Sequence, residues 1–264
     1  MRRKAIFFDI DGTLWDEQSR MPDSVYDTIR EMKAAGHAVL ICSGRSMGYI
    51  FDERLKRLGF DGCVSSAGAM VEVGGRTLLC RLAPQADIIA AVEAARAHHY
   101  APLLEGNQYL YMERDEFIPS DYIDKLYREL DWRIRPLDGS FGNWPDVTKL
   151  SMITTGEPCP QAVIDAVCGT WDVIMHIPEV LELVPPGIDK GTGLRLALDA
   201  LGIPQADSVA FGDGANDVAM FRESGLSIAM GNGSAELKAR ADYVTKPLDE
   251  DGLWHAWQWL KENA

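Results

Sequence analysis

Short runs of consecutive apolar residues alternate along the first third of the chain with stretches whose apolar positions recur every three or four residues. The two periods mark buried strands and amphipathic helices. Ala5 to Phe8 is a compact β-favouring run that stops at Asp9. Pro22 to Ala35 carries Val25, Ile29 and Met32 on one helical face and ends at Gly36. Ala38 to Cys42 predicts a second strand, Met47 to Leu58 a helix closed by Gly59, and Gly62 to Ser65 a third strand. Ala69 to Val73 and Arg76 to Leu82 flank Gly74-Gly75, a hairpin signal.

The last third repeats the alternation. A helix over Lys190 to Leu201 stops at Gly202, and Ser208 to Phe211 predicts a strand running into Gly212. Ala215 to Glu223, Leu226 to Met230, Ser234 to Ala241, Tyr243 to Thr245 and Leu253 to Lys261 continue as helix, strand, helix, strand and helix. All-apolar strands joined by helices predict an α/β fold, with a doubly wound parallel sheet covered on both faces.

The middle follows another rule. Pro84 to His98 reads as a helix and Leu103 to Glu113 as a hairpin around Gly106-Asn107. Strands follow at Thr148 to Thr154, Asp172 to Ile177 and Val180 to Val184, with a helix between the second and third elements. The pattern predicts a core formed by residues 1–82 and 185–264 and an inserted α+β domain over 83–184. The exit Val184-Pro185-Pro186-Gly187 has the composition of a hinge.

The composition narrows the partners. Among 264 residues, 26 Lys and Arg face 40 Asp and Glu, a formal net charge of -14. Such a chain repels phosphate backbones and anionic lipid, which argues against nucleic acid and membrane surfaces as partners. The five cysteines include no CxxC pair, and no run approaches the ~20 apolar residues of a membrane span. A soluble cytoplasmic protein with reduced thiols is expected. Oligomeric state has no signature in the pattern.

Candidate chemistry gathers at strand ends. Asp9 and Asp11 follow the first strand two residues apart, so both can point into the crevice where open α/β sheets bind ligands. Phe211-Gly212-Asp213-Gly214-Ala215-Asn216-Asp217 again follows a strand and opens a helix. A solvated Asp-rich turn explains one such acid but not the whole set. Gathered together, the acids would offer hard oxygen ligands suited to Mg²⁺. Ser43-Gly44-Arg45 follows the second strand with a hydroxyl, a permissive backbone and a guanidinium. Lys190 stands at a helix start, where the helix dipole disfavours a cation and an anionic partner would make sense of it.

Taken together, Asp9-Ile10-Asp11-Gly12-Thr13, Ser43-Gly44-Arg45, Lys190 and the segment from Gly212 to Phe221 resemble, in order, the four motifs of the haloacid dehalogenase-like superfamily. The inserted block and the segments 182–191 and 228–233 resemble its Cof-type subfamily, with an α+β cap. The resemblance implies a Rossmann-like core and a Mg²⁺-dependent phosphatase working through an aspartyl-phosphate. Asp9 would be the nucleophile and Asp11 the general acid and base. Asp9, the Asp11 carbonyl and Asp213 would hold Mg²⁺, with Asp217 a ligand or a support. Phosphate would meet Ser43, the Gly44 and Ile10 amides, Lys190 and Asn216.

The resemblance also implies a small phosphorylated metabolite as partner, with sugar phosphates foremost and flavin mononucleotide and pyridoxal phosphate as rivals. Segments 106–111 and 138–143 of the cap are expected to choose among them. Relatives often carry Asn-Gly-Ala after the third strand, where this chain has Ala67-Gly68-Ala69. A phosphotransferase or phosphomutase on the same core, or a metabolite-binding regulator with an idle site, are the alternatives. Dehalogenation in the superfamily does without the second acid, which is present here as Asp11.

Overall fold

A computed structural model describes residues 2–50, 52–137 and 144–263. The chain groups into two compact units, one formed by Met1–Gly44, Asp52–Leu79 and Asp189–Ala264 and the other by Arg45–Phe51 and Cys80–Ile188.

The first unit begins with β1 (Ala5–Phe8), α1 (Asp23–Ala34), β2 (Ala38–Cys42), α2 (Glu53–Leu58), β3 (Gly62–Ser65), β4 (Met70–Val73) and β5 (Arg76–Cys80). The second unit supplies α3 (Gln85–Ala97), β6 (Tyr100–Gly106), β7 (Leu110–Tyr111), α4 (Asp121–Leu130), β8 (Ile134–Arg135), β9 (Val147–Thr154), α5 (Pro160–Ala166), β10 (Asp172–Ile177) and β11 (Val180–Val184). The chain then returns through α6 (Lys190–Leu201), β12 (Ser208–Gly212), α7 (Val218–Glu223), β13 (Leu226–Ala229), α8 (Ala235–Lys238), β14 (Tyr243–Val244) and α9 (Gly252–Asn263).

The first sheet runs β14-β13-β12-β1-β2-β3-β4-β5. Pairing is parallel from β14 through β3 and turns antiparallel at β3 and β4, around the turn at 66–69, while the Gly74-Gly75 turn joins β4 to β5. All four residues of β1 are buried, as an unbroken apolar run requires when both faces are covered. Phe7 packs with Leu194, Ala197 and Leu198 of α6, while Phe8 stacks on Phe211 at 5.0 Å. The parallel α/β core expected from the pattern is present, with β1 at its centre.

The second unit holds a sheet in the order β10-β11-β9-β6-β7-β8. One face packs against α3 and α5 through Ile88, Val92, Leu104, Leu150, Val163 and Leu181. The other carries a buried ionic row. Glu105 lies opposite Lys149, and Ser151 opposite Glu182, in adjacent antiparallel strands. Lys149 Nζ stands 3.1 Å from Glu105 and 2.8 Å from Glu182. Burial would raise the Glu182 carboxyl, but the Lys149 charge and His176 pull it down to about 2.

One helix is shorter than its periodicity predicts. Met47 to Leu58 reads as continuous, yet α2 starts only at Glu53. Residues 46–50 instead make turns, with Tyr49 and Ile50 N–H both donating to the Ser46 carbonyl. Ser46 N–H donates to Glu105 at 3.3 Å and Gly48 N–H to the Gly106 carbonyl at 3.1 Å. These bonds hold the segment to β6 and take the backbone out of the helix. Asp52, which accepts from Arg54 N–H at 2.8 Å, then caps α2.

Candidate active site

The site forms where β1, β2 and β12 end side by side. In β1 and β12 the register sets Phe8 against Phe211, so Asp9 and Gly212 emerge together, and Asp9 N–H donates to the Phe211 carbonyl at 3.0 Å. The chain beyond Asp9 turns back at once. Leu14 and Trp15 N–H reach the Ile10 carbonyl at 2.8 and 3.2 Å, and Gly12 N–H reaches the Trp15 carbonyl at 2.8 Å. Gly12 makes the turn with a φ of +72°, and a Cβ there would lie 2.1 Å from an Asp213 oxygen. Only glycine permits both the backbone and the close approach.

Lys190 is the first residue of α6 and only 1% exposed. Its ammonium donates to Asp9 Oδ1 at 2.9 Å and to Asp217 Oδ1 at 2.6 Å. Asp189 caps the same helix by accepting from Thr192 N–H at 2.6 Å. The cation that the helix dipole disfavours is thus held by two buried carboxylates. Asp217 Oδ2 accepts from the Asp213 and Gly214 N–H groups at 2.9 and 3.0 Å, fixing the turn that presents Asp213.

Asp9, Asp213 and Asp217 each offer an oxygen, all within 4.8 Å of one another. One lysine does not balance them. Burial lifts the Asp9 carboxyl well above its ordinary range, Lys190 opposes, and Asp217, Asp213 and Asp11 push it further. Burial and Asp217 likewise push Asp213 up to about 7, against Lys190. A pocket of hard oxygen donors with surplus negative charge fits a divalent cation such as Mg²⁺.

The other expected residues lie in the same unit. Ile10, Ser43 and Gly44 are buried at the strand ends, and Ser43 N–H pairs with the Val64 carbonyl at 2.8 Å. Asn216 is half-buried in the turn between Asp213 and Asp217, and Asp11 is exposed. Arg45 groups with the second unit, its guanidinium 4.1 Å from the Tyr49 ring centre. Ala67, after the third strand, adopts a left-handed backbone with φ +52° and ψ +29°. Segment 138–143, expected to help choose the substrate, lies outside the described residues.

Two residues at the site had no place in the sequence reading of its chemistry. Asn232 Nδ2 donates to the Gly12 carbonyl at 2.8 Å while its Oδ1 accepts from Leu248 N–H at 2.9 Å. Trp15 Nε1 donates to Asp11 Oδ1 at 2.9 Å. The four-residue spacing from Asp11 to Trp15 was the available signal, since it can close a loop as well as a helical turn.

Strand-end carboxylates gathered around one buried lysine, over a parallel sheet, make a polar centre suited to a divalent cation. Comparison with known proteins supplies the family. The chain belongs to the haloacid dehalogenase-like hydrolases, matching that family over residues 6–257. YkrA of Bacillus subtilis (strain 168) is 29% identical over 261 residues, covering 97% of each chain. A 5-amino-6-(5-phospho-D-ribitylamino)uracil phosphatase of the same organism, YwtE, is 28% identical over 284 residues, covering 95% of each. Among solved structures, a sugar phosphatase of HAD subclass IIB superposes with a TM-score of 0.82 at 25% identity, covering 98% of this chain and 99% of that one. Among the described residues, no helix is long and apolar enough to cross a membrane.

Proposed function

We propose that this protein is a Mg²⁺-dependent phosphatase that hydrolyses small phosphomonoesters, sugar phosphates foremost, through an aspartyl-phosphate on Asp9. The carrying observation is the buried Lys190 between Asp9 and Asp217, with Asp213 alongside. A carboxylate attacks a phosphoryl group only where cations offset the charge on both. The sugar phosphatase among the structural neighbours and the phosphatase among the sequence relatives support the substrate class. The acidic net charge and the reduced thiols fit a cytoplasmic metabolite enzyme.

In this reading Asp9 attacks phosphorus, the bond to the ester oxygen breaks, and Asp11 gives that oxygen its proton. Water then attacks the aspartyl-phosphate, Asp11 takes the proton, and phosphate leaves with Asp9 restored. Ser43, the Gly44 and Ile10 amides, Lys190 and Asn216 hold the phosphoryl oxygens. Asp9, the Asp11 carbonyl and Asp213 would hold Mg²⁺, with Asp217 beside them orienting Lys190 and the turn at Asp213. Bound there, Mg²⁺ supplies positive charge to the transferring group.

A panel of alkyl, sugar and aryl phosphates assayed with Mg²⁺ and with a chelator tests the reading. Turnover should require Mg²⁺ and fall at least about a thousandfold in Asp9→Asn, a gap of roughly 4 kcal/mol. Release of phosphate from no ester, or full activity in Asp9→Asn, would reject it.

A further inference from the structure

We infer that Trp15 is a positioning residue for Asp11: its indole N–H holds the carboxyl group in the orientation from which it exchanges a proton with substrate and water. The inference rests on the phosphatase reading above and adds a residue to it.

Three observations carry it. Trp15 is 2% exposed, and its Nε1 donates to Asp11 Oδ1 at 2.9 Å. The same two residues form an isolated main-chain bridge, so backbone and side chain close one loop. The Arg54 guanidinium lies over the indole, 5.1 Å from the Trp15 ring centre. Arg54 is itself clamped, with Nε and one terminal nitrogen on Asp52 at 2.8 and 2.5 Å and another nitrogen on the Ser19 carbonyl. The indole is therefore held by its burial and by a clamped cation over its ring.

The chemistry of the donor gives the assignment. An indole N–H donates and never accepts. Asp11 Oδ1 must face it as an acceptor whether the carboxyl group is charged or neutral. The carboxyl plane is set before the ester arrives. An exposed aspartate without such a partner would turn among rotamers, and misplacement by about 1 Å can lower a rate about a hundredfold.

Trp15→Phe keeps a ring over Arg54 and removes the N–H. It is compared with wild type and Asp11→Asn on an alkyl phosphate and on p-nitrophenyl phosphate, both with Mg²⁺. The alkyl ester needs a proton on its leaving oxygen, and kcat should fall roughly ten- to a hundredfold. Release of p-nitrophenol in the first turnover should fall less than about threefold, since that group departs unaided. In the Asp11→Asn background, Trp15→Phe should lower neither rate further, because a residue acting through Asp11 has nothing left to position.

Equal losses on both esters, or an undiminished loss in the Asp11→Asn background, would overturn the role of Trp15. If Trp15→Phe does not fold, 3-benzothienylalanine at position 15 removes the N–H at nearly constant shape, and the same two criteria apply. A wild-type enzyme inactive on every phosphomonoester overturns the underlying reading instead, and the role of Trp15 falls with it.

Discussion

Lys190 Nζ lies 2.9 Å from Asp9 Oδ1 across 181 positions of sequence, with both side chains buried. The contact joins the end of β1 to the start of α6, and Asp217 completes it from the β12 side. Lys190→Met would leave two buried carboxylates without their cation. Removing one partner of a buried pair destabilises by about 3–5 kcal/mol. Urea unfolding at pH 8 should show a loss of that order, narrowing as acid protonates Asp9, whose carboxyl is raised by burial. A variant as stable as wild type at pH 8 would mean that the pair contributes nothing to the fold.

Metal should act on stability with a pH dependence set by Asp213. Its carboxyl is raised from 3.8 to about 7, so the folded metal-free protein holds a proton that the unfolded chain releases. Stability of that form should fall as pH rises from about 4 to about 7. Mg²⁺ should restore it, by about 2.7 kcal/mol at a hundred times its Kd. Thermal midpoints with and without Mg²⁺ should separate more at pH 8 than at pH 5, and the separation should shrink in Asp213→Asn. Equal Mg²⁺ shifts at both pH values would place the metal elsewhere.

Gly12→Ala should disable the site with the chemistry-bearing side chains untouched. The new Cβ meets the Asp213 carboxylate and also forces alanine into a φ of +72°. Destabilisation by more than about 1 kcal/mol is expected, with a higher Mg²⁺ concentration needed for half-maximal activity. A normal Mg²⁺ titration would show that Asp213 does not need to stand against the turn.

Acid sensitivity of the second unit should trace to Glu182. Its folded carboxyl is depressed to about 2 from 4.5, so its contribution is full above pH 4.5 and lost as pH falls toward 2. The contribution is of order 3 kcal/mol at neutral pH. Glu182→Gln should flatten the stability profile between pH 5 and pH 2 and lower stability at pH 7. An unaltered acid limb in hydrogen exchange at β9 and β11 would remove Glu182 from the acid transition.

The candidate motifs were legible because each is a local event, an apolar strand ending in residues that no buried strand could continue. Asp9, Ser43 and Asp213 all stand at such ends, and the parallel order of β12, β1 and β2 brings them together. The start of α2 was not legible. Met47 to Leu58 keeps helical spacing, and only the bonds from Ser46 to Glu105 and from Gly48 to Gly106 withdraw its first turn. Trp15 was hidden for the opposite reason. An aromatic beside a glycine turn reads as packing, and its four-residue spacing from Asp11 does not by itself say that a nitrogen is aimed there.

The position of β1 bears on how the molecule is made. β1 pairs with β2 on one side and with β12 on the other, and β12 begins at Ser208. A ribosome has therefore delivered every residue of Cys80–Ile188 before the central strand of the catalytic sheet can gain its second neighbour. Until then that strand offers an unsatisfied edge, the kind of surface on which nascent chains misassemble. Asp9 emerges among the first residues, but Lys190, Asp213 and Asp217 follow only in the last third. The growing chain carries Asp9 through most of its synthesis without the charges that surround it in the fold.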